Sequence, residues 1–183
     1  MSLSGKVYRL KSMIHLYELK KNNKNSNFVY SGDLLCPTIK ISLHDGSSCH
    51  IGQIWCGDDV TIGIHHGGGY IKIQDGVCFG KNTIIDIMSG SLHIGKNCMF
   101  GPNVYITDHD HNYKSKNWRD EYKCGDVYIG ENVWVGTNVT ILKGAYIEDN
   151  CVIGAGMVVK GHYSSNNVYY SEQQIRQKSF SRD

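Results

Sequence analysis

Two histidines, His109 and His111, stand two residues apart with Asp108 and Asp110 interleaved. An imidazole that is largely neutral near pH 7 is the side chain best suited to take a proton from a substrate. In an extended chain residues i and i+2 point the same way, so both rings can line one cleft. A neighbouring carboxylate, Asp108 in the first place, can orient such a base as the third member of a triad does. Asp110 reads more simply as a solvated loop acid. The chemistry on offer is general-base removal of a proton from an incoming nucleophile.

The pair opens a stretch of charged and aromatic residues, 107–126, that has no periodicity, and both of its flanks are periodic. Downstream, Ile129, Val135, Ile141, Ile147, Ile153 and Val159 recur every six residues, and Val133, Val139, Ala145, Cys151 and Met157 follow four positions after most of them. A helix repeats near 3.6 and a strand near 2, so a sustained period of six is neither. It marks a solenoid of hexapeptides. Each hexapeptide supplies a short strand and a corner, three make a triangular coil, the branched aliphatics fill the prism, and Gly, Asn or Asp turn the corners. Upstream the same phase recurs at Cys56, Ile62, Ile73, Phe79, Ile85, Ile94, Phe100 and Ile106, with loose corners at 65–69 and 88–91. Such bulges sit on prism edges at little cost, whereas a long loop leaving a strict solenoid is more often functional than accidental.

The expected organisation is a cap over 1–32, a parallel β-helix over 33–160 broken by the excursion 107–126, and a second cap over 161–183 with a short helix around Ile175, Arg176 and Lys178. The N-terminal segment is basic, Lys6, Arg9, Lys11, Lys20, Lys21 and Lys24 against Glu18, and its Met13, Ile14, Leu16, Tyr17 and Leu19 suit a short amphipathic helix or a strand. It reads as a cap or as a basic lip for an anionic ligand. With 19 basic and 17 acidic residues the chain is too balanced to argue for nucleic acid. Seven cysteines without a CxxC pair suit a reducing compartment. No apolar run approaches a membrane span, and the start lacks a signal-peptide hydrophobic region, so the cytoplasm is the expected location.

The segment from Ile129 to Val159, IGENVWVGTNVTILKGAYIEDNCVIGAGMVV, resembles the C-terminal coils of the left-handed β-helix acetyltransferases that modify hydroxyls: the maltose, galactoside and Nod-factor enzymes and the polysaccharide O-acetyltransferases. The left hand comes with the resemblance and departs from the usual crossover rule. Asn103 to His111 resembles the family segment that runs off a coil into the extended loop, which makes His111 the expected base and His109 the alternative. Trp134, in Asn132-Val133-Trp134-Val135-Gly136, matches the family's NVWIG motif; the resemblance implies that it walls the site between neighbouring subunits of a homotrimer, near both acceptor and carrier. Gly136, Thr137, Gly154 and Ala155 match positions beside the pantetheine arm, where backbone contacts favour small residues. Lys160 falls near a family Thr-Lys pair that approaches the phosphates, here Lys160-Gly161. The proline-rich turn and GNPAK ending are replaced by residues 169–176, where Arg176 is the remaining phosphate partner. Asp86 and Asn82, one coil earlier, are candidates for the acceptor, with an ordinary corner role as the competing reading.

The implied activity moves an acetyl group from acetyl-CoA, as cosubstrate, to a hydroxyl of a sugar or polysaccharide. Attack is direct in a ternary complex, with a backbone N–H near Gly136 on the oxyanion and no metal or covalent intermediate. An amino-sugar N-acetyltransferase is the nearest alternative. Zinc carbonic anhydrases share the architecture but need three convergent histidines, and His65, His66, His93, His109 and His111 lack the spacing of that family. A non-catalytic scaffold is the third alternative.

Overall fold

The computed structural model describes residues 3–171; the expected C-terminal helix and Arg176 lie outside them. From Asn27 to Tyr169 the chain winds as a parallel solenoid with three flat faces. Face one has seven strands, from Asn27–Tyr30 to His162–Tyr163; face two has six, from Ile54–Cys56 to Val168–Tyr169; face three has six, from Lys40–Leu43 to Val158–Val159. The aliphatics of the six-residue phase are buried along the axis, with Ile129, Val135, Ile141, Ile147, Ile153 and Val159 fully inaccessible. Phe79 and Phe100 stack at 5.1 Å in adjacent coils, and the small inward positions hold Val133, Val139, Ala145, Cys98 and Cys151.

Asparagine turns the corners. Asn97, Asn132, Asn150 and Asn166 between faces one and two, and Asn82, Asn103 and Asn138 between faces two and three, all have φ near +60°. Their amides form two ladders, in which Asn82 donates to Asn103 at 3.1 Å and Asn103 to Asn138 at 3.0 Å. The second runs from Asn97 through Asn132 and Asn150 to Asn166. Side-chain hydrogen bonding is what lets Asn hold a left-handed corner that other residues resist.

The two ends differ from the expected boundaries. The first strand, Asn27–Tyr30, already pairs with Ser48–Ile51 inside the segment read as a cap. Ahead of it stands one helix, Leu3–Asn22, so the chain is not wholly β. Ser12 and Leu19 are buried, Leu16 packs on the core, and His15 Nε2 meets the Ile39 carbonyl at 2.7 Å. These residues recur at helical spacing and seat the helix on the open first coil. At the other end the solenoid does not stop at Lys160. His162–Tyr163 and Val168–Tyr169 extend faces one and two by a contracted coil, with a step of 16 residues instead of 18. Tyr163 and Tyr169, edge to face at 4.8 Å, pack on the end of the core where aliphatics sat in earlier coils. Their bulk disguised the phase.

On face one the outward side chains of successive coils stack: His93 on Tyr128 at 5.0 Å and Tyr128 on Tyr146 at 4.6 Å. Burial, and then the Lys72 charge, hold His93 below its ordinary pKa. The folded state therefore resists a proton that the unfolded state accepts. The stabilising contribution is complete above the unfolded value near 6.5 and is lost as pH falls below it. Thermal melts at pH 7 and pH 5 should show a smaller pH-dependent drop for His93→Phe than for the native chain. For the corners, Asn132→Ala should be less stable than Asn132→Gly by about 1 kcal/mol, since only the alanine meets the left-handed steric cost. Equal denaturation midpoints would remove backbone conformation as the reason for asparagine there.

Candidate active site

The excursion leaves the corner between faces three and one. Strand Tyr105–Thr107 pairs with Ile84–Ile87 below it, and the chain then departs as a two-stranded antiparallel ribbon, His109–His111 against Tyr122–Cys124. Gly125 N–H donates to the Asp108 carbonyl at 2.8 Å and closes its base. Lys143, from the next coil, anchors the ribbon through Asp110 at 3.2 Å and the Lys123 carbonyl at 2.8 Å. Asp110 is thus an ion-pair partner of the scaffold.

Asp108 is fully buried. Its carboxylate accepts the amides of Met88 at 2.7 Å, Ser89 at 3.2 Å and Gly90 at 2.6 Å. Three successive N–H groups make an anion cradle, which meets the need of a buried carboxylate for partners. The corner at 88–91 is therefore more than a tolerated bulge. A Cβ on Gly90 would come within 2.8 Å of Asp108 Oδ2, so glycine is needed at this close approach.

Asp108 Oδ1 also lies 3.0 Å from His109 Nδ1, with Thr107 Oγ1 3.1 Å from the same nitrogen. A carboxylate at Nδ1 keeps the proton there and leaves the Nε2 lone pair as the basic position. The His109 side chain is only 14% exposed. His111 is exposed, and its Nδ1 meets the Trp118 carbonyl at 3.0 Å. Both rings contact Tyr122, at 5.5 Å and 4.7 Å, so the two histidines do share one side of the ribbon. The orienting carboxylate belongs to His109, the alternative of the sequence reading, and not to His111.

Asp86 sits one coil earlier, in register with Thr107. It accepts from the Tyr105 hydroxyl and lies 2.7 Å from His65 Nε2. Burial first, then Asp86, push the Tyr105 phenol up to about 12, so it remains a donor at physiological pH. The structure brings Asp86, Tyr105 and His65 to the foot of the excursion; Tyr105 and His65 were not singled out in that role from sequence. Outward alternation along Tyr105-Ile106-Thr107 was the available signal. Asn82 is not part of this group. It lies at the other edge of face three, with its amide committed to the asparagine ladder.

A concavity of about 500 Å³ lies on face two beside the corner with face three. Trp134, Gly136, Thr137, Gly154 and Ala155 line it, with Gly101 and Pro102 from the coil below. Trp134 projects outward between buried Val133 and Val135 and is half exposed. Gly136 has a structural reason to be glycine: a Cβ there would stand 2.7 Å from the Ala155 nitrogen. Its N–H donates to the Ile153 carbonyl at 2.7 Å. The expected oxyanion role is therefore not open to the Gly136 amide itself, which is spent in the inter-coil ladder. Lys160 is exposed on the opposite edge of face three from this groove. The histidines leave from that same opposite edge. Among the described residues no three His, Cys, Asp or Glu side chains gather as a metal site, and His93 stands on face one, stacked on Tyr128.

Comparison with known proteins matches residues 126–161 to the model described as bacterial transferase hexapeptide (six repeats), and residues 70–108 to the hexapeptide repeat of succinyl-transferase. WbbJ of Escherichia coli K12, a candidate lipopolysaccharide biosynthesis O-acetyl transferase, is 33% identical over 66% of this chain and 70% of its own length. The galactoside O-acetyltransferase of Lactococcus lactis is 36% identical over 57% of this chain and half of its own. Among solved structures, an N-acyltransferase mutant from Bacillus cereus, in complex with dTDP-4-amino-4,6-dideoxyglucose and coenzyme A, superposes with a TM-score of 0.64. It is 16% identical and covers 91% of this chain and 90% of that one. The solenoid has the left-handed β-helix fold.

Asp108→Asn replaces one accepting oxygen by an NH2 group that faces backbone donors. It should destabilise the protein by about 1–3 kcal/mol, the cost of buried polar groups left unpaired. Chemical denaturation should register the loss, and protease cleavage within 109–125 should accelerate.

Proposed function

This chain belongs to the hexapeptide-repeat acetyltransferase family, and we propose that it transfers the acetyl group of acetyl-CoA to a hydroxyl of a sugar or polysaccharide. The observation that carries the reading is the Asp108–His109 pair at the root of the excursion, a base oriented at one nitrogen by a fully buried carboxylate. The names of the O-acetyl-transferring relatives support the hydroxyl as acceptor.

In this mechanism His109 Nε2 takes the acceptor's hydroxyl proton. The alkoxide oxygen attacks the thioester carbon, the tetrahedral intermediate collapses, and the CoA thiolate leaves with the proton available on His109. Asp108 holds the imidazole and offsets the charge of the imidazolium. Asp86, kept in place by Tyr105 and His65, faces the acceptor. His111 and Tyr122 wall the acceptor side, and no metal takes part.

The pantetheine arm lies in the face-two groove along Trp134, Thr137, Gly154 and Ala155. Within one protomer that groove and His109 stand at opposite edges of face three, which supports a site completed by a neighbouring copy. A homotrimer closes such a head-to-tail contact. Lys160, on the histidine edge, then approaches a neighbour's carrier.

Turnover with acetyl-CoA and a panel of sugars and oligosaccharides tests the reading. His109→Ala should lose at least about a hundredfold, the scale of general-base removal, while His111→Ala stays within about tenfold. Native turnover in His109→Ala would end the assignment. The shared site is tested by mixing: His109→Ala and a groove-blocked Gly154→Trp, each inactive alone, should recover activity when refolded together, and no recovery would mean that each protomer works by itself.

A further inference from the structure

The N-terminal helix carries two apolar faces. The inner one, through Ser12, Leu16 and Leu19, seats it on the first coil. The outer one presents Leu10 at 60%, Met13 at 60%, Ile14 at 51% and Tyr17 at 69% exposure, with Val7 one turn earlier. Those positions follow i, i+3, i+4, i+7 spacing, so they form one stripe on the side away from the solenoid. A helix docked on a soluble core normally turns charge outward there, and a contiguous exposed apolar patch marks a contact surface. Lys6, Arg9, Lys11, Lys20 and Lys21 accompany the stripe, against Glu18 as the helix's one acid.

We propose that this outer face lies in the interfacial region of an anionic lipid bilayer. An apolar stripe flanked by lysine and arginine is the composition of helices that rest in the headgroup plane. The flanking stems extend toward headgroup phosphates while the apolar side chains enter the acyl boundary. The phenol of Tyr17 suits that boundary, with an apolar ring and a polar tip. The helix is not a span: among the described residues none is long and apolar enough to cross. A second copy is the competing occupant, and charge disfavours it, because two such faces would bring five bases against five. The proposal does not rest on acyl transfer.

Co-sedimentation of the full chain with vesicles separates these cases. Binding should be strong to equal parts phosphatidylcholine and phosphatidylglycerol, weak to phosphatidylcholine alone, and should fall with salt. Lys20→Ser with Lys21→Ser should weaken it by more than tenfold, at about fivefold per base. Leu10→Ser with Met13→Ser should cost at least about tenfold while leaving the circular dichroism melt unchanged, since both side chains point away from the core. Equal binding to both vesicle types, no binding to the anionic ones, or native binding by the Leu10/Met13 variant would each overturn the proposal. So would a change in oligomeric mass of that variant on size exclusion, which would assign the face to another copy.

Discussion

Parallel backbone pairing from coil to coil is the constraint on which everything else depends. Each interior strand of a face is held by the coil below and the coil above, so residues stacked along a face must keep one register. Phe79, Phe100, Val135 and Ile153 form such a column on face two. A one-residue slip would turn every inward side chain outward. Because both neighbours hold each coil, extra residues can leave only at corners and must return in phase. The excursion obeys this: Ile106 still pairs with Ile141 and Phe100 with Val135 across it.

That constraint explains what the sequence disclosed and what it hid. Ile129 to Val159 repeat at six because nothing interrupts the winding there, and the inward positions, the asparagine corners and the outward Trp134 were all legible. Tyr163 and Tyr169 were not, since the contracted last coil replaces aliphatics by rings and drops the period. The helix was read only as a short element, because its two apolar faces blur a single amphipathic stripe. In the site, the alternation of acids and imidazoles over 108–111 marked the segment that carries the candidate residues. It could not distribute roles, because the choice between His109 and His111 depends on where Asp108 is anchored. That anchor is made by amides at 88–90, whose contribution lies in backbone direction, and only Gly90, where a Cβ would crowd Asp108, marks it in the sequence.

The two corners that bound face three carry different burdens. At the one between faces two and three, Gly80, Gly101 and Gly136 let coils stack with a Cβ's width removed; a Cβ on Gly80 would stand 2.5 Å from the Gly101 carbonyl carbon. The backbone there is smooth and shallow, and a groove follows. At the corner between faces three and one, Met88–Gly90 and then Asp108 interrupt the smooth winding and concentrate polar groups. One edge offers shape and the other offers ionisable chemistry.

The contracted final coil has a consequence for self-assembly. A regular parallel column has two open rims of unpaired backbone, and identical columns could add end to end without limit, as in fibres. The sixteen-residue turn with its tyrosine pair is not congruent with the turn beneath the N-terminal helix. A stacked copy would therefore find neither matching strand positions nor an aliphatic surface to continue, and filament growth is frustrated by shape at the rim itself.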